Sequence, residues 1–210
     1  MALPFTIEQF LGTIQQYNLS VFPMQIVLLL LGIASIFLVF KQIKNNNKII
    51  PGILAFFWIW IGIVYHLIFF TSINKAAYLF GDLFIIQGLL FLFVGFKDKL
   101  SFKFRKDVYG ITGSIFVLYA IIIYPILNYI FGHWWPLNPT FGLPCPTTIF
   151  TFGLLLWTNK KIPKYILIIP LLWALIGMSA AINLGIWEDL GLIATGVLGV
   201  ILLWTRDRKR

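Results

Sequence analysis

Charged side chains are scarce in this sequence. Only 11% of its 210 residues are Asp, Glu, Lys or Arg, against roughly a quarter in soluble domains. That scarcity excludes an ordinary water-soluble globule. Cysteine is nearly absent: a single residue, Cys145, excludes an internal disulfide framework and a cysteine-rich metal cluster. Alternating apolar and polar stretches are missing too, which argues against strands, and an open sheet cannot satisfy its edges in lipid. The last apolar run carries no lysine, so a retinal Schiff base has no attachment point there. The first three and last three apolar runs share no motif, which disfavours a three-plus-one-plus-three sugar-transporter repeat.

What is abundant is carbon. Hydrophobic residues make up 60% of the chain, and the mean hydropathy is +0.93. Apolar runs fall at 21–40, 49–70, 77–96, 109–131, 146–157, 165–182 and 187–204. Six approach or exceed the ~18 to 20 residues needed to cross ~30 Å of hydrocarbon. The fifth is too short alone and needs help from the segment before it. The start, MALPFTIEQFLGTIQQYN, lacks the basic and continuous apolar regions of a signal peptide. Instead Ile7, Phe10, Leu11 and Ile14 follow helical spacing opposite Glu8, Gln9, Thr13 and Gln15. The pattern predicts an interfacial amphipathic helix over 6–17, with Thr6 as N-cap and Phe5 as hydrophobic staple.

The basic residues set an orientation. Fifteen of the sixteen lysines and arginines fall after the first, third, fifth and seventh runs, and only Lys75 falls on the opposite side. The positive-inside rule then places the N-terminus outside and the C-terminus in the cytoplasm. This sidedness accounts for the net charge of +9 without a nucleic-acid partner, and it favours anionic lipid headgroups. The expected fold is an all-α integral membrane bundle of seven transmembrane helices. It forms one domain over 1–210, with a partly re-entrant loop before span five. Nothing in the residues sets an oligomeric state.

With the basic residues inside, the remaining reactive groups fall mostly outside. His66 and Asp82 lie eight residues either side of Asn74, the centre of the turn between spans two and three. Equal offsets predict equal depth. A carboxylate inside a membrane costs about 2.5–3.5 kcal/mol on insertion scales without a partner or water. Pairing with His66, or a shared metal or substrate, would meet that cost; a hydrogen bond merely locking the hairpin is the plainer alternative.

The second cluster is GHWWPLNPTFGLPCPTT, residues 132–148, whose four prolines and two glycines forbid one regular helix. Pro146 suits a first helical turn, which would aim Thr147 and Thr148 at the outer mouth as an anion site. Cys145 at that helix start is a candidate nucleophile, or simply a packed thiol. Trp134 and Trp135 read as an interfacial aromatic belt, and His133 as a ligand or interfacial hydrogen-bonder. Glu188 and Asp189 open the seventh span, where acids suit the positive helix end. Being adjacent, they point about 100° apart, so at most one is expected to face a pocket. Gln87, Asn128, Ser179 and Asn183 complete the candidate lining.

The stretches LPFTIEQFL, YHLIFFTSINKAAYLFGDLF (65–84), GHWWPLNPTFGLPCPTTIFTFG (132–153) and IWEDLGL (186–192) resemble a family of small bacterial multi-pass membrane proteins of unknown function. The resemblance implies a bacterial inner membrane and no particular activity. A weaker similarity connects the chain to seven-span alkaline ceramidase and adiponectin-receptor hydrolases. Those have a serine four residues before the span-two histidine and an H-x-x-x-H pair in span seven. Here Gly62 and the Glu188–Asp189 pair stand instead.

Three functions follow. One is an outward-facing pocket for a small ligand, metal or lipid-derived substrate. In its enzymatic version, a metal-assisted hydrolase, His66, Asp82 and His133 hold a divalent metal such as zinc. Catalysis then falls to Asp82, Cys145 and Glu188, with Gln87, Thr147, Thr148, Asn183 and Asp189 binding substrate. Haem between His66 and His133 is a weaker variant. The second function is a transporter for a small solute or anion; the third is a non-enzymatic sensor or accessory subunit.

Overall fold

A computed structural model describes residues 3–209; Arg210, counted above among the basic residues, lies outside them. The described residues form helices, and their only β-type pairings are two isolated bridges. The helices are α1 (Ile7–Val21), α2 (Met24–Lys41), α3 (Asn46–Trp60), α4 (Ala77–Phe96), α5 (Val108–Leu118), α6 (Tyr124–Ile130), α7 (Pro144–Leu156), α8 (Ile168–Leu184) and α9 (Leu190–Arg208). Six continuous helical stretches are long and apolar enough to cross a membrane: Met24–Lys41, Asn46–Ser72, Ala77–Phe96, Val108–Ile130, Lys164–Leu184 and Trp187–Arg208. Their outward faces expose large apolar side chains such as Leu30, Phe37, Ile111, Ile115, Ile182 and Ile201. A belt of that size suits hydrocarbon rather than water. The chain is a helical membrane protein.

α7, the expected fifth span, departs from the others. At thirteen residues it reaches only about 20 Å. Every residue in it except Cys145 is buried. It forms the core around which α5, α8 and α9 pack. Small residues allow this: a Cβ on Gly153 would stand 2.9 Å from the Gly113 carbonyl oxygen, and one on Gly199 would press on the Phe152 ring. Two side-chain hydrogen bonds tie α7 and the residue after it to neighbours. Trp58 Nε1 donates to Thr151 Oγ1 (3.1 Å) and Trp157 Nε1 to the Gly110 carbonyl (2.9 Å).

Two segments of the helical stretches are wound more widely than an α-helix. Ile61–Phe69, continuing α3, and Tyr119–Ile123, between α5 and α6, are π-helical. The second has a local cause: Pro125 has no N–H to close an ordinary turn, and the Tyr124 N–H donates five residues back to Tyr119.

α1 starts as expected. Thr6 and Gln9 form a reciprocal capping box, and Phe5 stacks on Phe10 with ring centroids 6.1 Å apart. It runs on to Val21, and Thr13, Ile14, Tyr17 and Asn18 are buried, so α1 packs on the bundle instead of merely lying beside it. The Tyr17 hydroxyl accepts from Trp60 Nε1 at 2.9 Å. Burial pushes this phenol up to about 12, against the smaller opposing pull of that hydrogen bond.

At the basic end of the bundle the loops are stitched together. Lys103 N–H donates to the Trp157 carbonyl and Asn159 N–H to that of Ser101, both at 2.8 Å. Gln42 donates to the Phe102 carbonyl at 2.8 Å. The buried Arg206 reaches the end of α7, donating to the Thr158 carbonyl (2.8 Å) and Thr158 Oγ1 (3.1 Å), while its Nε meets Asp207 at 2.8 Å. A cation just beyond the negative end of a helix is well placed, and here it holds the turn that follows α7.

Candidate functional site

The opposite end is built around the 132–143 loop. Asn18 of α1 donates to the Pro136 and Asn138 carbonyls at 2.8 and 2.9 Å, and Asn128 of α6 donates to that of Pro139 at 2.8 Å. These amides replace the regular hydrogen bonds that a proline-rich segment cannot form for itself. The loop is thereby held between α1 and α6, where it delivers His133 and the start of α7.

Glu188 and Asp189 lie on a short 3₁₀ turn before α9, and both are buried. As their separation of about 100° implies, the two diverge around the turn, each toward its own partner. His133 Nδ1 is 2.6 Å from Glu188 Oε1, with the histidine partly exposed and the glutamate fully enclosed. The Tyr119 hydroxyl donates to the Glu188 carbonyl at 2.8 Å. Tyr124 donates to Asp189 Oδ1 at 2.5 Å. The Cys145 thiol lies beside the same carboxyl group. Its nearest ionisable neighbour is therefore an acid, not the lysine, arginine or imidazolium that activates nucleophilic cysteines.

Asp189 opens onto a cavity of about 240 Å³. Phe5, Phe10 and Ile14 of the N-terminal segment form one wall; Tyr65, Phe70 and Phe80 form a second; Cys145, Trp173 and Ile176 form a third. The lining is mostly carbon. Besides Asp189 and Cys145, its polar groups come from Tyr65, Asn74, Tyr124 and Ser179. Both π-helical stretches border it, one contributing Tyr65 and the other leading directly into Tyr124. Such irregular turns are frequent at functional sites.

The expected His66–Asp82 pair does not form. His66 is buried in rings, with centroids 4.7 Å from Phe84, 5.1 Å from Trp173 and 5.9 Å from Phe80. Neither of its nitrogens has a hydrogen-bond partner. Asp82 is exposed. Equal depth did not mean a shared face. Gly81 presents its backbone to Gly62 of the neighbouring helix, so the next side chain points about 100° away, and the π-helical stretch turns His66 off the α-helical register. His66, Asp82 and His133 thus occupy three separate surroundings. Among the described residues, no three His, Cys, Asp or Glu side chains are grouped as metal ligands.

Other expected lining residues lie elsewhere. Gln87 is buried toward the basic end, donating to the Ile166 carbonyl at 3.0 Å. Thr147 and Thr148 are buried in the first turns of α7 with unpartnered hydroxyls, away from the cavity wall. Asn183 is exposed and donates to the Ser179 carbonyl at 2.6 Å. Asp189, Cys145 and Ser179 do meet at the cavity, while Glu188 and His133 pair behind it. Tyr65, Tyr124 and Asn18 were missed. Pro125, just after Tyr124, was the available signal for an irregular turn.

A family model matches residues 7–210, from the start of α1 through the whole of α9. The chain belongs to that family, DUF6064, a family of unknown function. The DUF6064 match takes in every residue of the His133–Glu188 pair and the Asp189 wall, although Phe5 lies ahead of it. No curated protein and no solved structure matches the chain.

Proposed function

We propose that this protein binds an amphiphilic, lipid-derived small molecule in the cavity beneath α1. The apolar part of the ligand lies against Phe10, Phe70, Phe80 and Trp173, and a hydrogen-bond-donating head group, such as an amine or hydroxyl, meets Asp189. The observation that carries this reading is a single carboxyl group facing a space lined mostly by carbon. An acid so placed selects a donor head group, because a bare hydrocarbon offers it no further hydrogen bond and an anion would be repelled. α1 supplies part of the wall through an amphipathic face, which suits a ligand arriving from the membrane interface. The proposal includes seven crossings with α7 as the short internal one, the N-terminus outside, the C-terminus in the cytoplasm, and residence in a bacterial inner membrane. The basic bias supports that orientation.

The test is thermal unfolding of purified protein in mild detergent with dodecylamine, dodecanol or dodecanoate. The amine and alcohol should raise the melting temperature, and dodecanoate should not. Asp189→Asn should abolish the preference for amine over alcohol, and Ile14→Trp, which fills the cavity, should abolish both shifts. Equal shifts from all three amphiphiles, or shifts unchanged by Ile14→Trp, would rule out this site. Alkaline phosphatase fused after Arg208 should be inactive in cells; periplasmic activity would reverse the orientation.

A further inference from the structure

A second groove lies at the opposite, basic end, between α8 and α9, with a volume of about 300 Å³. Its walls run from Lys164 to Leu171 on one side and from Val200 to Asp207 on the other. Seven residues of helix make it about 10 Å deep. The body is apolar and the mouth is cationic. Lys164 Nζ sits 3.8 Å from the centroid of the Trp204 ring, and the Arg208 guanidinium carbon is 5.4 Å from it. Among the described residues neither cation pairs with a carboxylate. Asp207, the acid at this mouth, is occupied: it accepts from Arg206 Nε and from the Ile162 N–H, both at 2.8 Å.

We propose that this groove binds one anionic phospholipid, its phosphate between Lys164 and Arg208 and one acyl chain against Leu171 and Val200. Charge complementarity chooses the occupant. Two unpaired cations held over an indole need an anion, and a carbon-lined groove opening onto the hydrocarbon needs a chain. Trp204 favours the headgroup depth of a bilayer, where each basic residue strengthens anionic lipid binding about fivefold. A zwitterionic lipid would bring its own cation to a site that already has two.

The protein would be reconstituted in nanodiscs of phosphatidylcholine alone or of an equimolar mixture with phosphatidylglycerol, then stripped with detergent and weighed by native mass spectrometry. One phosphatidylglycerol should persist on the wild-type chain. Retention should fall about fivefold for Lys164→Gln or Arg208→Gln, and should hold for Lys44→Gln, which removes a basic-end charge from outside the groove. Equal loss in Lys44→Gln would mean diffuse charge attraction and overturn the site, as would equal retention of phosphatidylcholine. Excess inorganic phosphate should fail to displace the lipid; displacement would show that the site holds only a free anion. Phosphatidylglycerol with a photoreactive acyl chain should label Leu171 or Val200 in the unmodified protein, a readout independent of whether any variant folds. Labelling confined to other helices would also overturn the assignment.

Discussion

The two ends of this bundle leave buried polarity unpaired to different degrees. At the basic end Arg206 is enclosed, yet it donates to Thr158 and meets Asp207, while the loop backbones around it exchange hydrogen bonds; only Gln87 Oε1 and Tyr165 Oη are left without partners there, among the described residues. At the cavity end, both nitrogens of His66, one oxygen of Glu188 and the hydroxyls of Thr147 and Thr148 have no partner. An unpaired buried polar group costs about 1–3 kcal/mol. The cavity end therefore gives up more stability to unpaired groups than the basic end does. A scaffold tied at one end and strained at the other is what a ligand site on a rigid support requires.

That contrast can be broken most readily at Arg206. Replacing it with Ala opens the end of α7 and leaves Asp207 without its cation. It should cost about 3–5 kcal/mol, measured by denaturant unfolding in detergent, with Arg206→Lys recovering part of the loss. A cost below about 1 kcal/mol, within the range of exposed pairs, would mean that the network is ornamental. At the other end the sign should reverse. His66→Phe removes two unsatisfied nitrogens from a nest of rings and should raise stability by about 1 kcal/mol. A fall would show that the imidazole has a polar partner when the protein works.

A smaller effect sharpens the account of the basic end. Asp107 caps α5, accepting from the Tyr109 and Gly110 N–H groups while paired with Arg105. Burial alone would raise its carboxyl, but the Arg105 hydrogen bond and the two amides outweigh it and hold the group below its usual 3.8. A depressed folded value means the contribution is complete above the unfolded value and fades as pH falls through the lower folded one. Asp107→Asn should flatten the acid limb of the stability profile below about pH 4, and Asp107→Ala should cost about 1 kcal/mol as a lost cap. An unchanged acid limb in both variants would remove Asp107 from the account.

Local chemistry was legible in the sequence wherever neighbours a few residues apart decide it. Thr6 and Gln9 form their capping box, Phe5 finds Phe10, and the long apolar runs become long apolar helices. The site was legible in pieces: Asp189, Cys145 and His133 were named, but not their partners. Which faces meet depends on helix rotation, and two π-helical stretches shift that rotation in ways hydropathy does not record. The His66–Asp82 expectation failed for this reason. The central position of α7 was hidden because shortness alone does not distinguish a helix half-buried in lipid from one wrapped by its neighbours.

The enclosure of α7 bears on the order in which the chain is assembled. Helices enter a membrane as they are synthesised, and this one is too short to settle there unaided. α5 is already made when α7 emerges; α8 and α9 are not. For that interval its flank lacks Gly199 against Phe152, and the turn that follows it lacks Arg206. Its placement is completed only when α9 arrives, so residues synthesised well after it determine whether the middle of the molecule holds.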